Sequence, residues 1–400
     1  MLDYHDALAT LLAGLTPPAA DETLPLSAAA NRTLSRALPA RVDTPSFDNS
    51  AMDGYALCDP DATRTAFCVT ARVAAGDNAA GVALEPGEAA RIFTGAPLPA
   101  GATAVVAQED TRRDEDALHL DQPPRAGQHI RRRAEEYAAG GVLLAEGARL
   151  TPAAIALVAS QGYAALPVRP RLAVTVFSSG NELAEPGAEL LPGQIYDANR
   201  YQLIAWLAGF DVTVRDGGIL PDDAAHTRAA LAEASLASDV ILTSGGVSVG
   251  EEDHVRAALE AIGTLTAWKL AIKPGKPFAW GQAGRARVFM LPGNPVATFV
   301  TFFLLVAPAL RALSGEAAAA PRALPVRAAF VKGKLEPRRE FLRARLRVED
   351  GALLADLMAG QGSAMLSACA GADALVEIPP AATVAEGDLL NAYLINGAFQ

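Results

Sequence analysis

The stretch Asp239-Val-Ile-Leu-Thr-Ser-Gly-Gly-Val-Ser-Val-Gly250 decides the fold class of this chain of 400 residues. Its first half is almost continuously apolar, as expected of a strand buried on both faces, and a glycine-rich loop follows directly. The same order recurs at Leu172–Phe177, which runs into Ser178-Ser-Gly-Asn-Glu182, and at Phe289–Leu291, which runs into Pro292-Gly-Asn-Pro295. Such strands alternate with helices over residues 171–314, which predicts parallel pairing and a doubly wound α/β domain. The intervening elements are predicted as helices at about 198–208, from Ala224, at about 253–262 and from Pro295, with a further strand at Val212–Val214.

Shorter elements are predicted before this unit. A helix over residues 1–14 ends at Gly14, and a second short helical region is predicted at 23–40. Short apolar runs broken by Gly, Pro and Asp predict a small β-rich unit over 55–125. A helix begins at Thr151-Pro152 and ends at Gly162, and Pro167–Pro170 is predicted to be a linker.

After Ala317–Pro321 the chain returns to short strands, which predicts a small closed or nearly closed β-domain. Its strands are predicted at Pro325–Phe330, Phe341–Val348, Leu353–Met358, Ala374–Ile378 and Leu389–Ile395.

The composition excludes several classes of protein. Hydrophobic residues make up 51% and charged residues 20% of the chain, so it can bury ordinary cores. The net charge of −11 argues against a general nucleic-acid binder, because phosphate backbones require cation-rich surfaces. The start of the chain lacks the pattern of a signal peptide, and the apolar stretch Val296–Leu310 is predicted to be a buried helix, not a membrane span. The three scattered cysteines, Cys58, Cys68 and Cys369, predict free thiols in a reducing compartment and not a disulfide framework.

The three loops that follow the apolar strands predict a binding site for a phosphorylated ligand. Ligands of open α/β sheets lie beyond the carboxyl ends of the strands, and glycine lets the backbone approach them with its N–H groups. Pro295, with Asn294 as a possible cap, begins a helix whose N-terminus favours anions. The alternative is that the glycines only turn the chain. The predicted ligand contacts are Ser179, Gly180, Ser244, Gly245, Gly246, Ser248, Pro292, Gly293, Asn294 and Pro295.

Charged residues near these loops allow two interpretations. Lys269, Lys273 and Lys276 lie in or next to a predicted strand from Thr266 to Ile272, and on a strand the first two would face the same side. The cluster of all three predicts oxyanion binding, and the alternative is that they are surface lysines. Asp222 and Asp223 suit a Mg²⁺ site, or simply helix capping. Glu251, Glu252 and Asp253 likewise suit a Mg²⁺ site, or simply favourable placement of acidic residues in the first turn of a helix. Glu182 is a further carboxylate near the loops.

Other chemistries lack their residue patterns. The five histidines are dispersed without metal spacing, and no Ser/His/Asp constellation, GxxxxGK[ST] loop or GxGxxG loop is present. A serine nucleophile and a Walker-type ATPase are therefore not expected. Glu135-Glu136 follows Arg131–Arg133, and physics alone favours a solvated surface ion-pair run there.

Long motifs in sequence order resemble the molybdopterin molybdenumtransferase family, which includes MoeA and the E domain of gephyrin. They are Asp48–Ala56, Thr94–Pro99, Gly193–Asp197, Thr243–Glu251, Trp268–Pro277, Leu291–Pro295 and Gly362-Ser363. The resemblance covers essentially the whole chain. It implies a mixed α/β N-terminal domain formed by residues 1–42 and 141–168, an inserted β-rich domain at 43–140, a molybdopterin-binding α/β domain at 169–316 that resembles molybdopterin adenylyltransferases, and a C-terminal β-barrel at 317–400.

The resemblance also implies an activity and its partners. The expected reaction inserts molybdenum from molybdate, a substrate, into adenylylated molybdopterin, with Mg²⁺-dependent release of AMP. A cytoplasmic homodimer is implied, as are contacts with the upstream adenylyltransferase and with recipient molybdoenzymes, whereas nucleic acid and membrane are not expected partners.

The motifs carry over a set of functional residues with expected roles. Glu182, Asp222 and Asp253 are expected at the metal, and Lys273 and Lys276 are expected to offset the charge of molybdate and of the departing phosphate. Asp53 and Glu136 are expected to reach the site from the partner subunit of the dimer. The full catalytic set is Asp53, Thr94, Glu136, Glu182, Asp222, Asp253, Lys269, Lys273 and Lys276, and Pro292, Pro295 and Ser363 join the substrate contacts.

Three motifs depart from the family pattern. Ala134-Glu135-Glu136 stands where the family has Gly-Glu-Asp, Asn181 replaces an aspartate, and His254 stands where tyrosine is common. Three alternatives to molybdenum insertion remain at this point. They are the same chemistry with tungstate, a non-catalytic scaffold, and a molybdopterin adenylyltransferase. The flanking regions 1–166 and 322–400 argue against the adenylyltransferase.

Overall fold

The computed structural model describes residues 1–247, 254–317 and 319–395, without the side chains of residues 267 and 268. The first 168 residues form two helices and short strands. These are α1 (Tyr4–Ala13), β1 (Glu22–Pro25), β2 (Leu38–Pro39), β3 (Asn49–Ser50), β4 (Gly54–Leu57), β5 (Ala66–Val73), β6 (Glu88–Ile92), β7 (Ala104–Ala107), β8 (Thr111–Asp114), β9 (Ala117–Leu120), β10 (Ile130–Arg131), β11 (Val142–Leu144), α2 (Pro152–Ser160) and β12 (Ala165–Val168).

The helical region predicted at 23–40 is wrong. This segment forms β1 and β2, joined by a 3₁₀ turn at Leu26–Ala28. Strand β1 pairs antiparallel with β12, and β2 pairs with β11. Both partners lie more than 100 positions away along the chain, so long-range pairing overrides the local pattern. Long-range pairing also places Pro167 and Val168 in strand β12, so the predicted linker is wrong there. The predicted helix capped by Thr151 is confirmed as α2.

A six-stranded sheet lies within the predicted β-rich unit, in the order β7-β4-β6-β5-β9-β8. Strands β4 and β7 approach so closely that a Cβ atom at Gly54 would lie 1.9 Å from the carbonyl oxygen of Val106. Only glycine fits this position of the motif Asp48–Ala56.

The central region contains the predicted parallel strands and helices. Its elements are β13 (Leu172–Ser179), β14 (Leu183–Ala184), β15 (Ile195–Tyr196), α3 (Asn199–Leu207), β16 (Val212–Leu220), α4 (Ala224–Ala237), β17 (Val240–Ser244), α5 (His254–Ile262), β18 (Gly263–Trp268), β19 (Ile272–Lys273), β20 (Ala279–Ala283), β21 (Ala286–Leu291), α6 (Pro295–Thr301), a π-helical segment (Phe302–Val306) and α7 (Ala307–Leu313).

The sheet of this region has the order β16-β13-β17-β21-β20-β18. Its first four strands are parallel, as predicted, whereas β20 and β18 add an antiparallel edge that the sequence did not indicate. One face packs against α3, α6 and α7, and the other packs against α4 and α5. The doubly wound α/β fold is therefore confirmed.

Helix α6, the π-helical segment and α7 form one continuous helix over Pro295–Leu313. It has the length and apolar composition of a membrane span, and is longer than the predicted stretch Val296–Leu310. However, 89% of its apolar window is buried inside the fold, which confirms the prediction of a core helix.

The last region forms the predicted β-domain. Its elements are β22 (Leu324–Ala328), β23 (Arg339–Glu349), β24 (Ala352–Leu357), α8 (Leu366–Ala370), β25 (Ala374–Ile378) and β26 (Leu389–Leu394). The order β23-β24-β22-β26-β25 closes because β25 pairs again with β23, which makes a five-stranded barrel. Strand β19 of the central region extends the barrel sheet by pairing in parallel with β23.

Candidate active site

Four loops meet at one edge of the central sheet, because the carboxyl ends of β13, β16, β17 and β21 point the same way. The N–H of Gly180 donates to the carbonyl of Leu220 at 3.1 Å, and the N–H of Gly245 donates to the carbonyl of Leu291 at 3.1 Å. The structure thus brings Ser179-Gly180, Ser244–Gly246 and Pro292–Pro295 together. Ser248, predicted to belong to the same group, lies outside the described residues.

The backbone of the loop after β17 requires its two glycines. Gly245 has a φ of +92°, and a Cβ atom there would lie 2.6 Å from the carbonyl oxygen of Ser179. Gly246 has a φ of +64°, and its Cβ would lie 2.5 Å from the side chain of Val255. Any other residue would be strained at either position and would part the loop from β13.

Two carboxylates lie at this edge. The carboxylate of Glu182 folds back over Gly180, where a Cβ atom would lie 2.1 Å from Glu182 Oε2. Asp222 is half-buried and joins the ends of β13 and β16. Its Oδ2 accepts from the backbone N–H of Asn181 at 3.0 Å, while its own N–H donates to Asn181 Oδ1 at 3.2 Å.

The capping alternative holds for Asp223 and not for Asp222. Asp223 is the N-cap of α4, and its Oδ1 accepts from the N–H of His226 at 2.6 Å. Asp222 faces the loops instead, so adjacent carboxylates of identical chemistry have different surroundings.

The lysine-bearing segment is not one strand, which corrects the sequence prediction. Strand β18 ends at Trp268, and Lys269 has a φ of +69°, a conformation that cannot continue a strand. Lys273 lies in β19, which belongs to the barrel sheet, so Lys269 and Lys273 do not share one strand face. Lys276 is exposed.

Lys273 is engaged by carboxylates of the last region. Its Nζ lies 2.9 Å from Glu336 Oε2 and 3.2 Å from Glu340 Oε1. The hydrogen bond that Lys273 donates to Glu336 raises the pKa of Lys273. Hydrogen bonds from Arg338 and then from Lys273 lower the pKa of Glu336 to about 2.

We expect Glu336 to stabilise the fold in its ionised form. Its folded pKa lies below the ordinary value of 4.5, so the stabilisation is present above pH 4.5 and is lost as the pH falls toward 2. Glu336→Gln should remove roughly 1 kcal/mol of this pH dependence, a small amount because solvent screens the group. Urea unfolding at pH 5.5 and pH 3 measures it. Glu349→Gln, on an exposed pair with Arg347, is the control. Equal pH slopes for wild type and Glu336→Gln would contradict this assignment.

Arg343 is a buried charged residue that the sequence analysis did not single out. Its side chain is fully buried, and Nη2 donates to the carbonyl oxygens of Gly360 and Gly362 at 3.2 Å. Within the described part of the chain, Nε and Nη1 have no hydrogen-bond partner. Burial lowers the pKa of this guanidinium. The available signal was an arginine inside the otherwise apolar run Phe341–Ala344 of a barrel strand.

The loop beside Arg343 reaches the start of α6. The backbone N–H of Val296 donates to the carbonyl of Ser363 at 3.0 Å, which brings the predicted contact Ser363 to the sheet edge. Asn294 occupies the N-cap position, but its side chain makes no capping hydrogen bond. A buried cation therefore lies directly behind the loop that covers a helix N-terminus.

Asp53, Thr94 and Glu136 lie elsewhere, in the β-rich region. Asp53 Oδ1 accepts from the N–H and the hydroxyl of Thr94 at 2.7 and 2.8 Å, and these bonds lower the pKa of Asp53. Glu136 is exposed, and its N–H donates to the carbonyl of Thr44 at 2.9 Å. These contacts tie the three residues to the segment 43–55, whereas the glycine loops lie on the central sheet.

The arginine run before Glu136 does form surface ion pairs, but with other partners than its neighbours. Arg132 pairs with Asp48 at 2.6 Å, and Arg133 pairs with Asp43. Glu135 accepts from the backbone N–H of Arg132.

A complete metal site is not visible in residues 1–247, 254–317 and 319–395, which contain no cluster of three or more His, Cys, Asp or Glu side chains. Glu182 and Asp222 are two of the three expected ligands, and Asp253, the third, lies outside the described residues. Both are hard oxygen donors at the loop edge, which is the ligand type that Mg²⁺ requires.

Comparisons with known proteins match this architecture from end to end. Family models described as MoeA N-terminal region (domain I and II), probable molybdopterin binding domain, and MoeA C-terminal region (domain IV) match residues 2–162, 175–312 and 325–395. A protein named molybdopterin molybdenumtransferase from Haemophilus influenzae is 41% identical over 317 residues, covering 79% of this chain and 78% of that protein. The chain belongs to the MoeA family of molybdopterin molybdenumtransferases.

Further relatives agree with membership of the MoeA family. A Synechococcus elongatus protein, also named molybdopterin molybdenumtransferase, is 39% identical over 331 residues, covering 79% of this chain and 81% of that protein. The crystal structure of a molybdopterin biosynthesis MoeA protein from Pyrococcus horikoshii OT3 superposes with a TM-score of 0.84 at 28% identity, covering 98% of this chain and 100% of that one. The resemblance drawn from the motifs is thereby confirmed, and with it a place in molybdenum cofactor biosynthesis.

Proposed function

We propose that this chain inserts molybdenum from molybdate into adenylylated molybdopterin and releases AMP in a Mg²⁺-dependent reaction. The observation that carries the proposal is the meeting of three glycine-rich loops at one edge of the parallel sheet. That edge lies in the segment that matches the molybdopterin-binding model. Family membership supports the substrate class.

The loops suit a pyrophosphate through their backbone. Gly245 and Gly246 let the loop pack tightly against Ser179 and Val255 at the sheet edge, and the continuous helix from Pro295 directs its positive end to the same edge. The hydroxyl of Ser244 is buried and donates to the carbonyl of Pro292 at 3.3 Å, so the expected phosphate contact of Ser244 is its backbone.

The cations suit the charge that develops during cleavage. When an oxygen nucleophile adds to one phosphorus of the pyrophosphate, the bridging oxygen leaves with the other phosphate and carries negative charge. Arg343, Lys273 and Lys276 would offset this charge and hold the molybdate oxyanion. The guanidinium of Arg343 is fully buried, and its Nε and Nη1 have no hydrogen-bond partner among the described residues, so its charge would act from behind the Gly362-Ser363 loop.

The expected metal would be held by Glu182, Asp222 and Asp253 together with substrate phosphate oxygens. Mg²⁺ would supply Lewis-acid neutralisation of the pyrophosphate. Asp222 would keep one oxygen on Asn181 and present the other to the ligand.

The neighbouring carboxylates Asp222 and Asp223 provide a matched test. Asp222→Ala is expected to lower the turnover number about a hundredfold or more, with the fold retained. Asp223→Ala removes a helix cap and should lower the free energy of unfolding by about 1 kcal/mol while retaining turnover. Steady-state AMP release and urea unfolding of both variants measure the two effects. Equal turnover of the two variants would remove Asp222 from the proposed site.

We also propose a cytoplasmic homodimer in which Asp53, Thr94 and Glu136 of one subunit complete the site of the other. Within one chain these residues contact the segment 43–55. A site that is completed by the partner subunit would account for their presence in the family motifs. The domain boundaries proposed for this assembly are 1–42 with 141–168, 43–140, 169–316 and 317–400. The upstream adenylyltransferase and recipient molybdoenzymes are its proposed partners. A monomer by light scattering at micromolar concentration would refute the cross-subunit roles.

AMP release tests the proposed function. Purified protein is incubated with adenylylated molybdopterin and Mg²⁺, with and without molybdate, and with tungstate in place of molybdate. Molybdate-dependent AMP release with metal retained on the pterin supports the proposal. Release with tungstate only would identify the tungstate-inserting alternative, and absence of AMP under all conditions would favour a scaffold.

A further inference from the structure

The segment that follows β15 anchors three of the four loops of the site. Asp197 accepts from the hydroxyl of Ser178 at the end of β13 at 2.9 Å. Two residues later, Asn199 begins α3, and its Nδ2 donates to Ser244 Oγ and to the carbonyl oxygen of Gly293, both at 2.7 Å. One amide group therefore bridges the loop after β17 and the loop after β21.

The orientation of this amide is fixed by chemistry. A backbone carbonyl can only accept, so the atom facing Gly293 has to be the NH₂ nitrogen. The hydroxyl of Ser244 accepts from the same nitrogen and donates onward to the carbonyl of Pro292 at 3.3 Å. The chain Asn199–Ser244–Pro292 thus closes a hydrogen-bonded ring through the backbone of Pro292-Gly293.

A packing role alone does not explain this residue. Asn199 is only 9% exposed, and its Oδ1 is buried without a hydrogen-bond partner among the described residues. An unpaired buried acceptor costs about 1–3 kcal/mol, which a leucine of similar size would avoid. The two donated bonds are what distinguishes asparagine from an apolar residue here.

We propose that Asn199 is a positioning residue of the active site. It fixes the spacing of the Gly245 loop and the Gly293 loop so that both face one phosphate group of the substrate. This inference rests on the proposed function, and it adds a residue outside the set that the motifs supplied. Glycine loops have little side-chain packing of their own, so a buried donor that joins them sets their separation.

The test replaces the donor without changing its size. In Asn199→Asp, a carboxylate oxygen faces the carbonyl of Gly293, so the loops should separate. We expect the turnover number for AMP release to fall about a hundredfold, because small misplacements are costly in a preorganised site, while KM for molybdate stays within about threefold. Ser244→Ala, which removes one of the two acceptors, should lose about tenfold, and Asn199→Ala/Ser244→Ala should lose no more than Asn199→Ala alone. Gln202→Leu, one turn along α3, is the control and should retain wild-type turnover.

A second readout separates this inference from the proposed function. Hydrogen exchange of peptides that span 240–247 and 288–296 reports the loops directly, and in Asn199→Asp these peptides should exchange at least about tenfold faster than in wild type or Gln202→Leu. Wild-type protein without AMP release would refute the proposed function and leave hydrogen exchange to decide the role of Asn199. Unchanged hydrogen exchange of these peptides in Asn199→Asp would overturn the inference. A turnover number of Asn199→Asp that equals that of the control Gln202→Leu would overturn it too.

Discussion

Arg343→Met is expected to remain folded and to lose at least about a hundredfold in molybdate-dependent AMP release. The guanidinium is fully buried, and two of its nitrogens lack partners among the described residues. Replacing a buried charge by an apolar residue of similar length removes a desolvation cost, so the free energy of unfolding should be unchanged or higher. Loss of a preorganised cation beside a developing oxyanion typically costs about 10²–10³ in rate.

The opposite signs of the two effects make this variant informative. A purely structural arginine, which holds the loop through Gly360 and Gly362, would lose stability on substitution and retain activity in the remaining folded protein. Urea unfolding and AMP release on the same preparation measure both. Arg345→Met, a neighbouring exposed arginine of β23, is the matched control. Retained turnover in Arg343→Met would exclude Arg343 from the oxyanion site.

Arg200→Met is expected to lower the free energy of unfolding by about 3–5 kcal/mol, the cost of breaking a buried charge network by removing one partner. The side chain of Arg200 is almost fully buried and pairs with Asp197, Asp216 and Glu185. Burial disfavours its charge, but the hydrogen bonds of the three carboxylates outweigh burial and raise the pKa of Arg200. Asp197 is itself buried and would be left without its cation.

Arg215→Met is the control for this substitution. Arg215 forms an exposed pair with Glu233, so its loss should change the free energy of unfolding by less than about 1 kcal/mol. Urea or thermal unfolding compares the two variants. A change of less than 1 kcal/mol for Arg200→Met would show that solvent satisfies the three carboxylates and that this network does not hold the segment 185–200.

The sequence predicted β13, β17 and β21 well because these strands are almost fully buried and end in glycine-containing loops. Such strands are continuous apolar runs, which local pattern reveals directly. It failed at β1 and β2, whose partners lie more than 100 residues away, and at the lysine segment, where a positive φ at Lys269 divides an apolar run between two sheets.

For the candidate site, the sequence indicated the residue types, and the structure showed which groups each side chain contacts. Asp222 and Asp223 are identical in local pattern, yet one joins two loops and the other caps a helix. Asn199 carries no local signal of a site, and the only local signal of Arg343 is its place in an apolar run, because their contacts arise from elements brought together only by folding.

By itself, the sequence determined the doubly wound sheet, the closed barrel, the family and the glycine-rich loops at the sheet edge. These follow from apolar periodicity, from glycine and from long motifs, all of which are local properties of the chain. Only the tertiary structure decided which side chains face that edge, because a side chain's partners depend on strands and loops distant in sequence. The bridge from Asn199 to Gly293 spans 94 positions and joins two loops of the site, and no local pattern can encode it.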